Sequence, residues 1–187
     1  MRNLFYLIIC MVFSNWSMIS EERLVFLRDH VIEDRRSCLE KLTPADVLEV
    51  AVFTSIIDLD RAQKIFYLCL YDEKDYGEVL KRIGASSLGE DSALKMAQWL
   101  MPYIVLGNCR ISPSDFNEVI LQGCKQVYYQ LVKYFLDTMG EAPDHLSLGL
   151  DIQEIQNVIL RWSKEFKRAG DFKKACSWLI LMDKLAL

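Results

Sequence analysis

The chain has 187 residues, of which 52% are hydrophobic and 26% charged, with a formal net charge of −4. That length and apolar fraction fit one globular domain with its own core and exclude a disordered chain. Both signs of charge are interspersed, so there is no basic stripe to neutralise phosphates, which excludes nucleic acid as a partner.

The first twenty residues, MRNLFYLIICMVFSNWSMIS, set Arg2 before an unbroken apolar run from Leu4 to Phe13. Such a run is about half of what a bilayer-spanning helix needs, but it matches the core of a secretory signal, with Ser20 as the small residue before cleavage. A secreted, extracellular protein with no membrane insertion after cleavage is therefore expected. An uncleaved anchor and an ordinary buried N-terminal helix are the alternatives. The expected organisation is a signal over 1–20, a helical domain over 21–140 and a C-terminal helical extension over 141–187.

Glu22 to Leu42 carries a broken helical stripe of Leu24, Leu27, Val31, Leu39 and Leu42. Thr43-Pro44-Ala45-Asp46 is a helix start, because Thr43 can cap, Pro44 suits the first turn and Asp46 complements the positive helix end. That helix is expected to run to Thr54. Asp58 caps the next, expected through Ile65, Phe66 and Cys69 to Tyr71. A short helix from Asp75 to Ile83 is expected to stop at Gly84 in a left-handed turn. Another spans Asp91 to Tyr103, with Pro102 kinking or closing it. Ser112-Pro113-Ser114-Asp115 repeats the cap-then-proline signature and opens one long helix from Pro113 to Met139. After the joint at 140–149, Asp151 caps a helix to Ala169, Gly170 stops it, and Asp171 begins the last helix to Leu185. No alternating strand pattern is present, so the fold class is all-α: about six short helices around a central cavity, plus two C-terminal helices.

Of six cysteines, Cys10 falls in the export-like segment. Cys38, Cys69, Cys109, Cys124 and Cys176 remain, an odd set that leaves one thiol over in an oxidising compartment. Cys38 and Cys69 bracket two helix starts, a layout that suits a staple between helices. Five buried apolar thiols in a cytosolic protein are the alternative. No CxxC or HxxxH spacing occurs and His30 and His145 lie far apart, so no metal or cofactor is expected. The sequence has no GxSxG, no HExxH and no phosphate-cradling glycine loop, and its acidic pairs sit at helix boundaries. Enzymatic activity is not expected.

The segment Cys38-Leu39-Glu40-Lys41-Leu42-Thr43-Pro44-Ala45-Asp46, together with Lys64-Ile65-Phe66-Tyr67-Leu68-Cys69, resembles the insect odorant-binding protein superfamily, specifically its pheromone and general-odorant branch. Ile65 stands where that family has a further cysteine, and Asp115 or Phe116 stands near the place of another. The pattern is similar to the subgroup that lacks one bridge, and the two surplus helices are similar to extended salivary members. The resemblance implies disulfides Cys38–Cys69 and Cys109–Cys124 and a cavity that takes a small hydrophobic ligand. The inward stripes would line it with Val52, Phe53, Phe66, Leu70, Met96, Leu100, Tyr103, Val119, Tyr128 and Val132; a packed core made of the same residues is the alternative. Two other functions remain open. One is a secreted cytokine-like or effector protein that meets a receptor through a surface patch, expected near Trp162, Phe166, Trp178 and Leu181. The other is an intracellular death-fold adaptor, since Glu22 to Ala85 also resembles a caspase-recruitment module.

Overall fold

A computed structural model of the chain describes residues 42–107, 109, 111–141 and 151–185. The export-like segment, the helix expected from Glu22, Cys38, His30 and His145 lie outside the described residues. The described residues form eight helices and no strand; the fold is all-α.

Helix α1, Pro44–Thr54, starts where the cap chemistry puts it. Thr43 Oγ1 accepts the Asp46 N–H at 3.2 Å, and the Asp46 carboxylate accepts the Thr43 N–H at 3.2 Å. This reciprocal box satisfies two backbone donors that the first turn leaves over. Every residue from Val47 to Thr54 is buried, so α1 is covered on all sides. A helix apolar on nearly all sides has nowhere else to go.

Helix α2, Leu59–Phe66, is capped by Asp58, which accepts the Arg61 N–H at 3.0 Å. It ends at Phe66, short of the expected Tyr71. The cause lies downstream: Asp72 and Asp75 form a second capping box, at 2.9 and 3.0 Å, which starts α3, Glu73–Gly84. The chain must leave α2 early enough to turn into that cap.

Gly84 does not stop α3 by a left-handed turn; it lies inside the helix, and Ala85 is the cap. Glycine is needed there for proximity, because a Cβ at 84 would sit 2.8 Å from the Val119 carbonyl oxygen. Helix α4, Glu90–Leu106, passes straight through exposed Pro102, which removes one helical hydrogen bond on the solvent side.

The long helix expected from Pro113 is two helices, α5, Pro113–Lys125, and α6, Tyr129–Glu141. They break at Val127, whose φ of 62° is left-handed. The Tyr128 N–H donates to Gly123 O at 2.9 Å and the Val127 N–H to Cys124 O at 3.1 Å. These two bonds are the paired closure that usually employs glycine. Here a β-branched residue holds the position. Helix α7, Ile152–Arg168, ends with the same closure, but at Gly170, whose φ is 81°. Helix α8, Phe172–Lys184, begins at once, capped by Asp171, which accepts the Lys174 N–H at 3.0 Å.

Helix α1 packs against α2, α3 and α4; α3 packs against α5; α5 packs against α6 and α7; and α6 packs against α4 and α8. The C-terminal pair shares the single buried cluster, with Ile155, Ile159, Trp178 and Leu181 joined to Phe116 and Phe135. Tyr128 Oη donates to Ser86 O at 2.7 Å and ties the α5–α6 turn to the α3–α4 link.

A charged knot fastens α1, α3 and α5. The Arg82 guanidinium pairs with Glu49, whose side chain is 0% exposed, with Asp46 at 3.2 Å and with Glu78 at 3.2 Å. Lys81 bridges Glu78 at 3.2 Å and Asp115 at 3.0 Å. Burial works against the charge on Arg82, but the carboxylates of Glu49 and Asp46 outweigh it and hold the guanidinium above its ordinary range. Burial likewise opposes the charge on Asp46, yet hydrogen bonds from Thr43 and Arg82 keep its carboxyl below the usual value.

Candidate functional site

The densest group of chemically distinctive side chains lies where α2 ends beside α4. Phe66 is its hub. Its ring centroid lies 4.4 Å from Tyr103, 5.1 Å from Tyr71, 5.6 Å from Tyr67 and 5.7 Å from Trp99, the last edge-on at 88°. Trp99 and Tyr103 are 5.1 Å apart, and Tyr71 meets Tyr76 at 6.0 Å. Offset and edge-on pairs of this kind each contribute about 0.5–1.5 kcal/mol beyond simple burial. The cluster therefore makes a stiff floor.

Next to these rings along the chain are apolar side chains that face water. Leu70 is 95% exposed, Leu106 84% and Tyr67 69%. Leu106 lies one helical turn beyond Tyr103 and so shares its face of α4. The Tyr67 and Tyr103 hydroxyls lie near enough for one to raise the other's pKa, although burial is the larger cause of the Tyr103 shift.

Burial, followed by the Cys109 thiol, pushes the Tyr76 hydroxyl up to about 12. Tyr71 is raised by burial and then by Cys69, and its hydroxyl is buried with no hydrogen-bond partner among the described residues. Cys69 is raised by burial and Asp75, and Cys109 by burial and Glu73. The Tyr71, Tyr76 and Tyr103 phenols and the Cys69 and Cys109 thiols are thus held in their protonated forms, so none of these five is an activated nucleophile.

The ten residues expected to line a cavity divide sharply. Val52, Met96, Leu100, Val119 and Val132 are 0% exposed members of the packed cluster, and Phe53 and Phe66 are nearly so. Tyr103 and Tyr128 are half-buried. Only Phe66 and Tyr103 of the set are in ring contact, while Tyr128 serves the α5–α6 turn. Leu70 is a correction: it points to solvent, because α2 has ended before its stripe can carry position 70 inward. Tyr67, Leu68 and Leu106 went unnoticed in the sequence. For Tyr67 and Leu68 the signal was the Asp72-x-x-Asp75 box, which limits the length of α2; no local pattern marks Leu106.

Cys69, Cys109, Cys124 and Cys176 are free thiols. The expected Cys109–Cys124 bridge is thus absent. Cys124 is fully buried on the inner side of α5, whereas Cys109 sits half-buried in the α4–α5 link, its Sγ 3.8 Å from Gly107 O. Cys69 is free as well, so the expected Cys38–Cys69 bridge is not formed either, whatever the place of Cys38, which lies outside the described residues.

Two clefts are lined, among the described residues, mainly by charged and polar residues. One, of about 570 Å³, lies between the starts of α3 and α5 and is lined by Asp72, Glu73, Lys74, Ser112 and Asp115. Asp72 and Ser112 are already occupied as helix caps, and Asp115 holds Lys81. The second, of about 270 Å³, runs along the outer side of α7. Among the described residues no group of three or more His, Cys, Asp or Glu is placed to hold a metal ion, and no helix is long and apolar enough to cross a membrane.

No family model, no curated protein and no solved structure matches this chain, so its chemistry must be argued from the site itself.

Proposed function

We propose that the protein is a helical effector that docks another protein on the surface made by Tyr67, Leu70, Tyr103 and Leu106. The observation that carries this reading is the exposure of Leu70 and Leu106, at 95% and 84%, the first beside Tyr71 in the chain and the second one helical turn beyond Tyr103, both of which pack on Phe66. Contiguous apolar surface rimmed by polar groups marks interaction sites, and tyrosine is enriched where interfaces gain most of their energy. The complementary partner offers aliphatic side chains to the leucines and hydrogen-bond acceptors to the two phenols. The N-terminal apolar run supports export, and so a receptor outside the cell as that partner.

A photo-crosslinking residue at position 106 should give a discrete adduct with the partner. Leu70→Asp should abolish that adduct while helical content stays unchanged. The same crosslinker at Lys164 should give none. An adduct indifferent to Leu70→Asp, or formed equally from position 164, overturns the reading.

One observation favours a second reading, the carrier of a small hydrophobic ligand that the odorant-binding resemblance implies. The Tyr71 hydroxyl, buried among rings with no partner among the described residues, is a donor that a ligand with a polar head would satisfy. A fluorescent apolar probe separates the two. Carriage requires displaceable binding that weakens in Tyr71→Phe and ignores Leu106→Asp; surface docking requires the reverse.

A further inference from the structure

Helix α8 is apolar on two opposite sides. Ala175, Trp178, Leu181 and Leu185 are buried in the core. On the far side Phe172, Leu179 and Ile180 are 62%, 43% and 54% exposed, around an exposed Cys176. Positions 172, 176, 179, 180 and 183 form one continuous stripe along a helix, and it ends on exposed Asp183. A helix with two apolar faces calls for cover on both.

The order of residues along the stripe says what covers it. Phe172 and Ile180 lie equally far from Cys176, one on each side, and Cys176 is the smallest side chain of the stripe. Consider a second copy of α8 laid antiparallel about a two-fold axis through Cys176. Phe172 of each copy then meets Ile180 of the other, and the small central side chains let the helix axes approach. The same rotation carries Asp183 toward the α7–α8 corner of the other copy. That corner is basic: Arg161, Lys164, Lys167, Arg168, Lys173 and Lys174 stand against Glu165 and Asp171 over 161–174, a net charge of 6 − 2 = +4. Lys167, Arg168 and Lys173 are exposed there.

An anionic bilayer would also suit Phe172, Leu179 and the basic corner. It would, however, press Asp183 into the membrane interface beside like charge, whereas a second copy gives that carboxylate a cation. Self-complementary shape and opposite charge at the two ends of one stripe are the marks of an isologous interface.

We infer that α8 is a homodimer interface, in which two copies pack antiparallel about Cys176 through Phe172, Leu179 and Ile180, with Asp183 facing the basic corner of the other chain. This surface is separate from the docking surface at Leu70 and Leu106, and each stands or falls without the other.

The test is a dilution series of the full chain, read by light scattering and by the yield of a Cys176–Cys176 peptide linked by a short bismaleimide. Wild type should show a dimer mass at about 100 μM, with the linked peptide tracking that mass. Ile180→Glu should cut both by about tenfold or more. Asp183→Lys should do the same, and adding Arg168→Glu to it should restore them. Leu106→Asp should leave both unchanged. A monomer mass throughout the series overturns the inference, as does a linked peptide indifferent to Ile180→Glu. So does a monomer that binds phosphatidylserine-rich vesicles in an Ile180-dependent way.

Discussion

Replacing Arg82 by methionine tests the charged knot directly. The substitution keeps the length of the side chain and removes the cation shared by Glu49, Asp46 and Glu78. Exposure decides the size of the effect. Arg82 is 17% and Glu49 0% exposed at the side chain, which puts the pair in the buried class, where taking away one partner costs about 3–5 kcal/mol. For a chain of this size that lowers the melting temperature by about 6–20 °C. Urea unfolding followed by far-UV circular dichroism should show the midpoint falling with the slope unchanged. Glu49→Gln removes the charge that Arg82 neutralises, so the double variant should be less damaged than the two single losses predict, by about 1–3 kcal/mol. A loss below about 1 kcal/mol in Arg82→Met, or strict additivity in the cycle, would refute the claim that this pair fastens α1 to α3.

Three further outcomes follow from the geometry. The Asp46 carboxyl is held below its ordinary value of 3.8 in the folded chain, so the unfolded chain takes up its proton first on acidification. Its contribution is present above that value and is lost as pH falls through the lower folded one, so urea midpoints should drop as pH falls below about 4, less steeply in Arg82→Met. Val127→Gly should raise stability by about 1 kcal/mol, because it relieves a left-handed β-branched residue at the α5–α6 break and gives back only part of that in unfolded-chain entropy. A lowered midpoint would show instead that the packing of the valine side chain outweighs the strain. Gly84→Ala should cost about 1–3 kcal/mol by thrusting a methyl group at the Val119 carbonyl, and an unchanged midpoint would mean that α3 and α5 can part freely.

What the sequence discloses and what it hides follow the range of the forces involved. Thr43-Pro44, Asp58, Ser112-Pro113, Asp151 and Asp171 all announce helix starts, because a cap is a hydrogen bond made within three residues. Gly170 announces a stop for the same reason. Val127 announces nothing: a valine enters the left-handed region only when packing across the bundle holds it there, and no local pattern records that. Gly84 was legible as special but for the wrong reason, since its neighbour is a carbonyl 35 positions away in sequence. The exposure of Tyr67 and Leu70 was hidden because it depends on where α2 ends. In α8 the apolar residues were visible but their sides were not. Trp178 and Leu181, expected at the surface, are buried, and Phe172 and Ile180 lie outside. A helix apolar on both faces leaves two candidate inner sides in the sequence.

Cys124 has a practical use that follows from its place on α5. Its sulfur is enclosed on all sides and shifted by burial to about 12, so alkylating reagents reach it only when the bundle opens. Pulsing such a reagent into a crude extract and counting tagged 124-containing peptides over time would clock the opening of the untouched natural chain. Purification, dyes and engineered reporters would all be unnecessary.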